Sequence, residues 1–373
     1  MNGMLIMEQI IGQAPPSDTS QILNLIMVIL FLIFLVWGQR LQASVILKDI
    51  EYALARLRLI RDEARKTVIE RIKSVGKLEG DPSKEVDRYL EYVFIEPVSL
   101  DPAGLVWKLD HLLKVAENRA RSEAQSLIPQ ASEVQRQNIL NVLEVAQSLN
   151  MLYKIIRHYY IMGKKTASYF IIIQLQAILP EVMMQANALL AALHAFSYGH
   201  VIGDGAGEIV AARFAQGAEG ELIAQDTVVV DVPFNERVIS IVKSRGPGGV
   251  VGMPGDAVMK LLERDRYDLV IMVDAGLKLE GEKSGDIFEG VGAAIGGIGT
   301  EKYKIEEAVT KKGMPLYGVI IKMSLIEALS PITKDILSGV ERAFDRVKEI
   351  IMEKTAPGAR VLLVGVGNTI GIK

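Results

Sequence analysis

Five short apolar runs in the second half of the chain do most to restrict its fold. Residues 227–232, 238–243, 268–274, 316–323 and 360–366 are rich in β-branched side chains, and several are continuously apolar rather than alternating. A strand of that kind is buried on both faces, which happens where helices cover a sheet from both sides. Between the runs, residues 205–216, 256–264, 303–312 and 325–354 carry helical patterns, the last interrupted by Pro331. The alternation predicts an α/β domain over 199–373, with a mostly parallel sheet sandwiched by helices.

The first half reads differently. Residues 22–37 (ILNLIMVILFLIFLVW) hold no charge and only Asn24 as a polar interruption. With Gln21 and Gly38 the run approaches the roughly 20 residues that span a bilayer core. Residues 1–20 contain Glu8 and Asp18 and no Lys or Arg, unlike the basic start of a cleaved signal peptide. Arg40, Lys48, Arg56, Arg58, Arg61, Arg65 and Lys66 follow the run, so the positive-inside rule places the bulk of the chain in the cytoplasm. The expectation is an extracytoplasmic tail over 1–20, a single transmembrane helix over 21–38, and attachment to the cell membrane through it.

From 39 to 198 the pattern is helical, with a turn at Gly80-Asp81-Pro82-Ser83 and breaks at Pro97 and Asp101-Pro102. Leu47, Ile50, Leu54, Leu57, Ile60, Ala64, Val68 and Ile72 recur at steps of three and four, which marks an amphipathic helix that packs or oligomerises. A homo-oligomer is therefore expected. Helices over 105–127, 132–162 and 166–196 follow. The last is strongly apolar, but Gln174, Gln176, Pro180, Glu181, Gln185 and Asn187 favour a buried core helix over a second span.

Composition narrows the chemistry. The chain of 373 residues has a net charge of −3, so nothing in its charge points to nucleic acid. It has no cysteine, which excludes disulfides, thiolate nucleophiles and zinc–thiolate or iron–sulfur sites. All four histidines lie at or before position 200, leaving the remainder without imidazole.

What remains is oxygen chemistry. Asp274 ends a predicted strand, where ligands gather in open α/β sheets, and Gly367-Asn368 ends another. Asp204 lies in Gly203-Asp204-Gly205-Ala206-Gly207 before a helix, with His200 just upstream. Each aspartate also has an ordinary explanation, as a helix N-cap for Asp204 and a turn residue for Asp274. Gly248 and Gly249 belong to a glycine-rich loop over 245–256, either an anion cradle or a plain connection. Glu280, Glu282 and Glu289, in the polar segment after Asp274, offer oxygen ligands of the type a divalent cation takes.

These segments resemble parts of the hydrogenase-maturation peptidases and the spore germination proteases. There a first strand ends in Gly-x-Gly-Asn and leads to an acidic residue and glycine at the first helix, while a later strand ends in Asp-Ala. Here the Gly-x-Gly-Asn strand comes last, so the resemblance implies a circularly permuted fold. It implies catalytic roles for Asp204 and Asp274, with a protein or peptide substrate. The maturation peptidases also use a later histidine with these two positions to bind nickel, and this chain has none. Two aspartates without that histidine match the germination proteases. The whole chain also resembles an uncharacterised archaeal family of membrane-anchored proteins, which implies no activity. The other readings are an oligomeric membrane scaffold or ligand sensor, and a phosphate- or nucleotide-binding enzyme.

Overall fold

The computed structural model describes residues 18–77, 80–97, 102–297 and 299–373. Most of the expected tail over 1–20 lies outside them. The described chain forms two compact units, one of residues 18–56 and 154–180, the other of Leu57–Tyr153 and Glu181–Lys373.

Five long or medium helices come first: α1 (Asp18–Gly76), α2 (Ser83–Leu90), α3 (Pro102–Leu127), α4 (Glu133–Thr166) and α5 (Tyr169–Tyr198). No break separates the predicted span from the amphipathic stretch after it, because α1 runs unbroken through Gly38. In the first unit, Ile46, Ile50 and Leu54 of α1, Ile156 of α4, and Ile172, Leu175 and Leu179 of α5 are buried. The apolar side chains from Ile22 to Leu32 are exposed, as is Phe34. The expectation that α5 is a buried core helix holds for only part of it. Val182, Ala186, Ala188, Ala192, Leu193, Ala195 and Phe196 are buried, whereas Phe170, Ile173 and Ile178 in its first half are exposed. Among the described residues, α5 is the helix that is long and apolar enough to cross a membrane; residues 22–32 form a shorter apolar stretch.

The α/β part follows in the order α6 (Ala206–Ala215), β1 (Glu221–Ala224), β2 (Thr227–Phe234), β3 (Arg237–Ser244), α7 (Pro254–Arg264), β4 (Leu269–Leu277), β5 (Ile287–Val291), α8 (Thr300–Lys312), β6 (Leu316–Met323), α9 (Leu325–Leu329), α10 (Lys334–Lys354) and β7 (Arg360–Gly365). The seven strands form one sheet in the order β1-β2-β3-β7-β4-β6-β5. Its centre, β3-β7-β4-β6, is parallel, but β1–β2, β2–β3 and β5–β6 are antiparallel. The sheet is thus mixed, not mostly parallel. The physical reason is local: Asn235 and Glu236, both at positive φ, close a tight hairpin between β2 and β3, and two short edge strands flank the parallel core.

Alternate residues of the central strands serve opposite faces. Ile271, Val273, Ile241 and Leu363 pack with Val210 and Phe214 of α6 and Val340, Val347 and Ile350 of α10. Val270, Met272, Val242 and Leu362 pack with Val258 and Leu261 of α7 and Ile305 and Val309 of α8. Each fully buried aliphatic side chain is worth about 1.5–3 kcal/mol against exposure, so the two clusters fix the three layers. Helix starts follow local rules. Pro254 begins α7, Ser324 and Glu327 form a capping box on α9, and Thr333 caps α10 after the break at Pro331.

Candidate functional site

The pairing of β7 with β4 stops at Gly365 and Val273, while β4 continues beside β6 to Leu277. Asp274 is therefore the first residue of β4 beyond its β7 neighbour, inside the strand and not at its end. It is 7% exposed. Its Oδ1 accepts from the N–H of Ala275 at 2.7 Å and its Oδ2 from that of Gly296 at 3.2 Å.

Asp204 comes to the same place from the other end of the sequence. It lies in a short helical turn, Gly203–Gly205, before α6. Its carboxylate caps neither that turn nor α6. Instead Oδ2 accepts from the backbone N–H of Asn368 at 2.9 Å, just past β7. Gly367 makes the approach possible: at φ +132° it presents no side chain, and a Cβ there would stand 2.0 Å from the Asp204 carbonyl oxygen. Gly207 does the same for α6, since a Cβ would meet the Val273 carbonyl oxygen at 2.2 Å.

Asp204, Asp274 and Gly367 line one cleft of about 520 Å³, with Val251–Pro254 from the loop before α7, the run from Ile295 to Glu301 (Ile298 aside), and Asp110, Leu113 and Lys114 of α3. The position, past the carboxyl end of β7 and beside the stretch of β4 that runs on beyond it, is on the edge where α/β sheets hold ligands. Burial raises the Asp274 pKa to about 7, and the nearby charge of Asp204 adds to the shift against the two N–H donors. Burial also raises that of Asp204, opposed by the Asn368 bond. Both groups therefore hold protons more tightly than free aspartates.

Glu208, one helical turn beyond Asp204, went unnoticed in the sequence. It is fully buried, and both its oxygens face the Ser244 N–H at the end of β3, at 2.9 and 3.1 Å. Burial lifts its pKa to about 8; the Ser244 bond and Lys243 oppose the shift and Asp204 adds to it. A lone acid among Ala206, Gly207, Ile209, Val210 and Ala211 was the available signal.

A second constellation borders the cleft. Lys304 of α8 is fully buried and bonds Asp110 at 2.6 Å, Asp256 at 2.6 Å and Glu301 at 2.7 Å. Lys114 reaches Asp256 at 2.7 Å and Asp110 at 3.0 Å. Burial disfavours the Lys304 ammonium, but its three carboxylate partners outweigh this and raise its pKa. Burial likewise works against the Asp256 carboxylate, and Lys114 and Lys304 overcome it, so its pKa is lowered. Nothing in the spacing could show this cluster, because Asp110 lies 194 residues from Lys304.

The remaining predicted residues lie elsewhere. His200 is exposed beside Tyr198, outside the cleft lining. Gly203, Gly205 and Gly207 serve close backbone packing and do not line the cleft. Asn368 is buried, and its side chain accepts from the Ile370 N–H at 3.0 Å. The loop carrying Gly248 and Gly249 is no loose connection, since Asn138 and Asn141 of α4 bond Gly249 and the Thr369 hydroxyl donates to the Gly248 carbonyl. Its N–H groups at Gly249, Val250, Met253 and Gly255 all have acceptors, so it offers no phosphate cradle there. Glu282 pairs with Lys322 and Glu289 with Arg346, while Glu280 is exposed; none of the three lines the cleft with Asp274. Among the described residues no group of three or more His, Asp or Glu side chains is placed to hold a metal ion.

Residues 24–199 match the family model for the N-terminal domain of a protein of unknown function (DUF1512), and residues 202–373 match the model for the DUF1512 C-terminal domain of unknown function. No curated protein and no solved structure matches the chain. Carrying both domains in succession, the chain belongs to the DUF1512 family.

Proposed function

We propose that this protein is a membrane-anchored hydrolase that cleaves peptide bonds with Asp204 and Asp274, its bulk in the cytoplasm. The observation that carries the reading is the convergence of two carboxyl groups, 70 residues apart in sequence, on one cleft beside Gly367, with no cation among the described residues bonded to either. Two carboxyls in one site separate into donor and acceptor when each disfavours ionisation of the other. Asp204 takes a proton from water as the water oxygen bonds to the peptide carbonyl carbon. Asp274, protonated near neutrality, gives its proton to the departing amide nitrogen as the C–N bond breaks. Exchange with solvent then returns both groups to their starting states.

The meeting of Asp204 with Gly367-Asn368 supports the resemblance to a permuted maturation-peptidase or germination-protease fold, because it rebuilds strand, glycine turn and acidic helix start in space. The exposed apolar side chains of α1 from Ile22 to Leu32 support lipid contact. A second reading, a non-catalytic oligomeric scaffold, draws on exposed Val45, Tyr52 and Leu59, which recur every seven residues on α1.

The full chain should cleave members of a degenerate peptide library read by mass spectrometry. Asp204→Asn and Asp274→Asn should each lower kcat/KM by about 10²–10⁴-fold, the usual worth of general acid–base groups, without lowering Tm. Cleavage untouched by both substitutions, or no cleavage by the parent, would reject the hydrolase and favour the scaffold.

A further inference from the structure

Within the first unit, the end of α4 and the first half of α5 form a tight hairpin. Gly163 lets the two helices close, since a Cβ there would stand 3.1 Å from the Ile172 side chain. Ile156, Ile172, Leu175 and Leu179 are buried and form its inner side. The outer side is apolar as well: Phe170 is 67% exposed, and Ile173, about one turn on, and Ile178 are exposed too. Exposed apolar side chains grouped in this way mark a surface that meets a partner.

Two hydrogen bonds set the height of the hairpin along α1. The Tyr160 hydroxyl donates to Glu51 Oε1 at 2.5 Å, and the Tyr169 hydroxyl to Gln42 Oε1 at 2.9 Å. The turn before α5 therefore lies at the level of Gln42, four residues past Gly38, where the expected span ends. At 1.5 Å per residue that is about 6 Å. The charge is one-sided there. Lys164 and Lys165 are exposed in the last turn of α4, and from Lys154 to Pro180 four Lys or Arg residues occur without a single Asp or Glu. Lys164 lies 4.0 Å from Glu51, but both side chains are mostly exposed, and such a pair is worth little. Lysines beside aromatic and aliphatic side chains suit the headgroup layer of an anionic membrane.

We propose that the tip of this hairpin is a second membrane contact, in which Phe170 and Ile173 enter the headgroup layer and Lys164 and Lys165 meet anionic phospholipid. In this arrangement α5 touches the bilayer surface and does not cross it. The contact rests on the anchored reading, with α1 as the span, and is independent of whether the cleft hydrolyses peptides.

The chain has no cysteine, so single fluorescent probes can be placed at will. Full-length Phe170→Cys, Leu25→Cys and Met352→Cys, each labelled with NBD, are reconstituted in vesicles of phosphatidylcholine and phosphatidylglycerol. The lipids carry a quenching spin label either on the headgroup or at the end of the acyl chain. The probe at 170 should be quenched more by the headgroup label, that at 25 by the acyl-end label, and that at 352 by neither. Lys164→Glu together with Lys165→Glu should lower the quenching at 170 severalfold while 25 stays as in the parent, and vesicles of phosphatidylcholine alone should do the same. Quenching at 25 with none at 170 would overturn the contact and leave the anchor standing. Quenching at neither would overturn the anchored reading with it. Stronger quenching of 170 by the acyl-end label would make α5 a second span, and self-quenching between labelled copies in place of lipid quenching would give the surface to a second copy; either overturns the contact. Quenching at 170 that survives both the charge reversal and the loss of anionic lipid would overturn the role of the lysines.

Discussion

Along one side of the cleft, Asp110, Asp256 and Glu301 surround the Lys304 ammonium; at the sheet end of the same cleft, the donors to Asp204 and Asp274 among the described residues are backbone N–H groups. In the first set buried charge is matched by charge, and the Asp256 pKa is lowered. In the second, burial goes uncompensated and both pKa values are raised. Identical side chains thus become a fastening in one place and a proton store in the other. The partner decides: an ammonium keeps a carboxylate ionised, whereas one or two N–H groups do not repay its desolvation.

The largest effect should come from breaking the matched side. Lys304→Met takes from Glu301 its ammonium partner and leaves Asp110 and Asp256 with Lys114 alone, and removal of one partner from a buried set of charges costs about 3–5 kcal/mol. Urea unfolding should show this loss, and a loss below about 1 kcal/mol would mean that the cluster is no fastening. A smaller effect should sharpen the unmatched side. Glu208 and Asp274 have pKa values raised to about 8 and about 7, so between the ordinary carboxylate range and those values the folded chain binds more protons than the unfolded one. Their stabilising contribution is complete at acid pH and is lost as pH rises through 7 to 8. Each group adds a slope of up to about 1.4 kcal/mol per pH unit. Glu208→Gln should therefore make the decline in stability from pH 5 to 8 shallower; an unchanged slope would mean that Glu208 ionises as freely in the folded protein as in the unfolded one.

Much of the fold was legible because its signals are local. The central strands betray themselves by continuous apolar runs, and the break before α10 by Pro331. The two strands that escaped notice, β1 and β5, are edge strands. Glu221-Leu222-Ile223-Ala224 is short, and Ile287–Val291 is largely exposed and contains Gly290, so neither needs the double-sided burial that marks the others. They complete the antiparallel flanks, which is why the sheet read as mostly parallel. In the site, Asp204, Asp274 and Gly367 were legible because a glycine that permits close approach, or an acid beside one, leaves a trace in sequence. Lys304 and Asp110 sit in ordinary helical contexts, and their meaning arises only where α3 meets the start of α8. Glu280 and Glu282 misled for the converse reason: acids close in sequence to Asp274 point to other partners or to solvent.

The central claim is that Asp204 and Asp274 form a coupled pair to which no cation of the described residues is bonded. The most direct measurement is an infrared titration of ¹³C-labelled aspartate carboxyls in the parent and in Asp204→Asn. One carboxyl absent from Asp274→Asn should titrate at about 7 in the parent and at a lower pH in Asp204→Asn, where burial remains and repulsion is gone. A carboxyl at Asp274 that titrates near the ordinary value of 3.8 in both proteins would contradict the account.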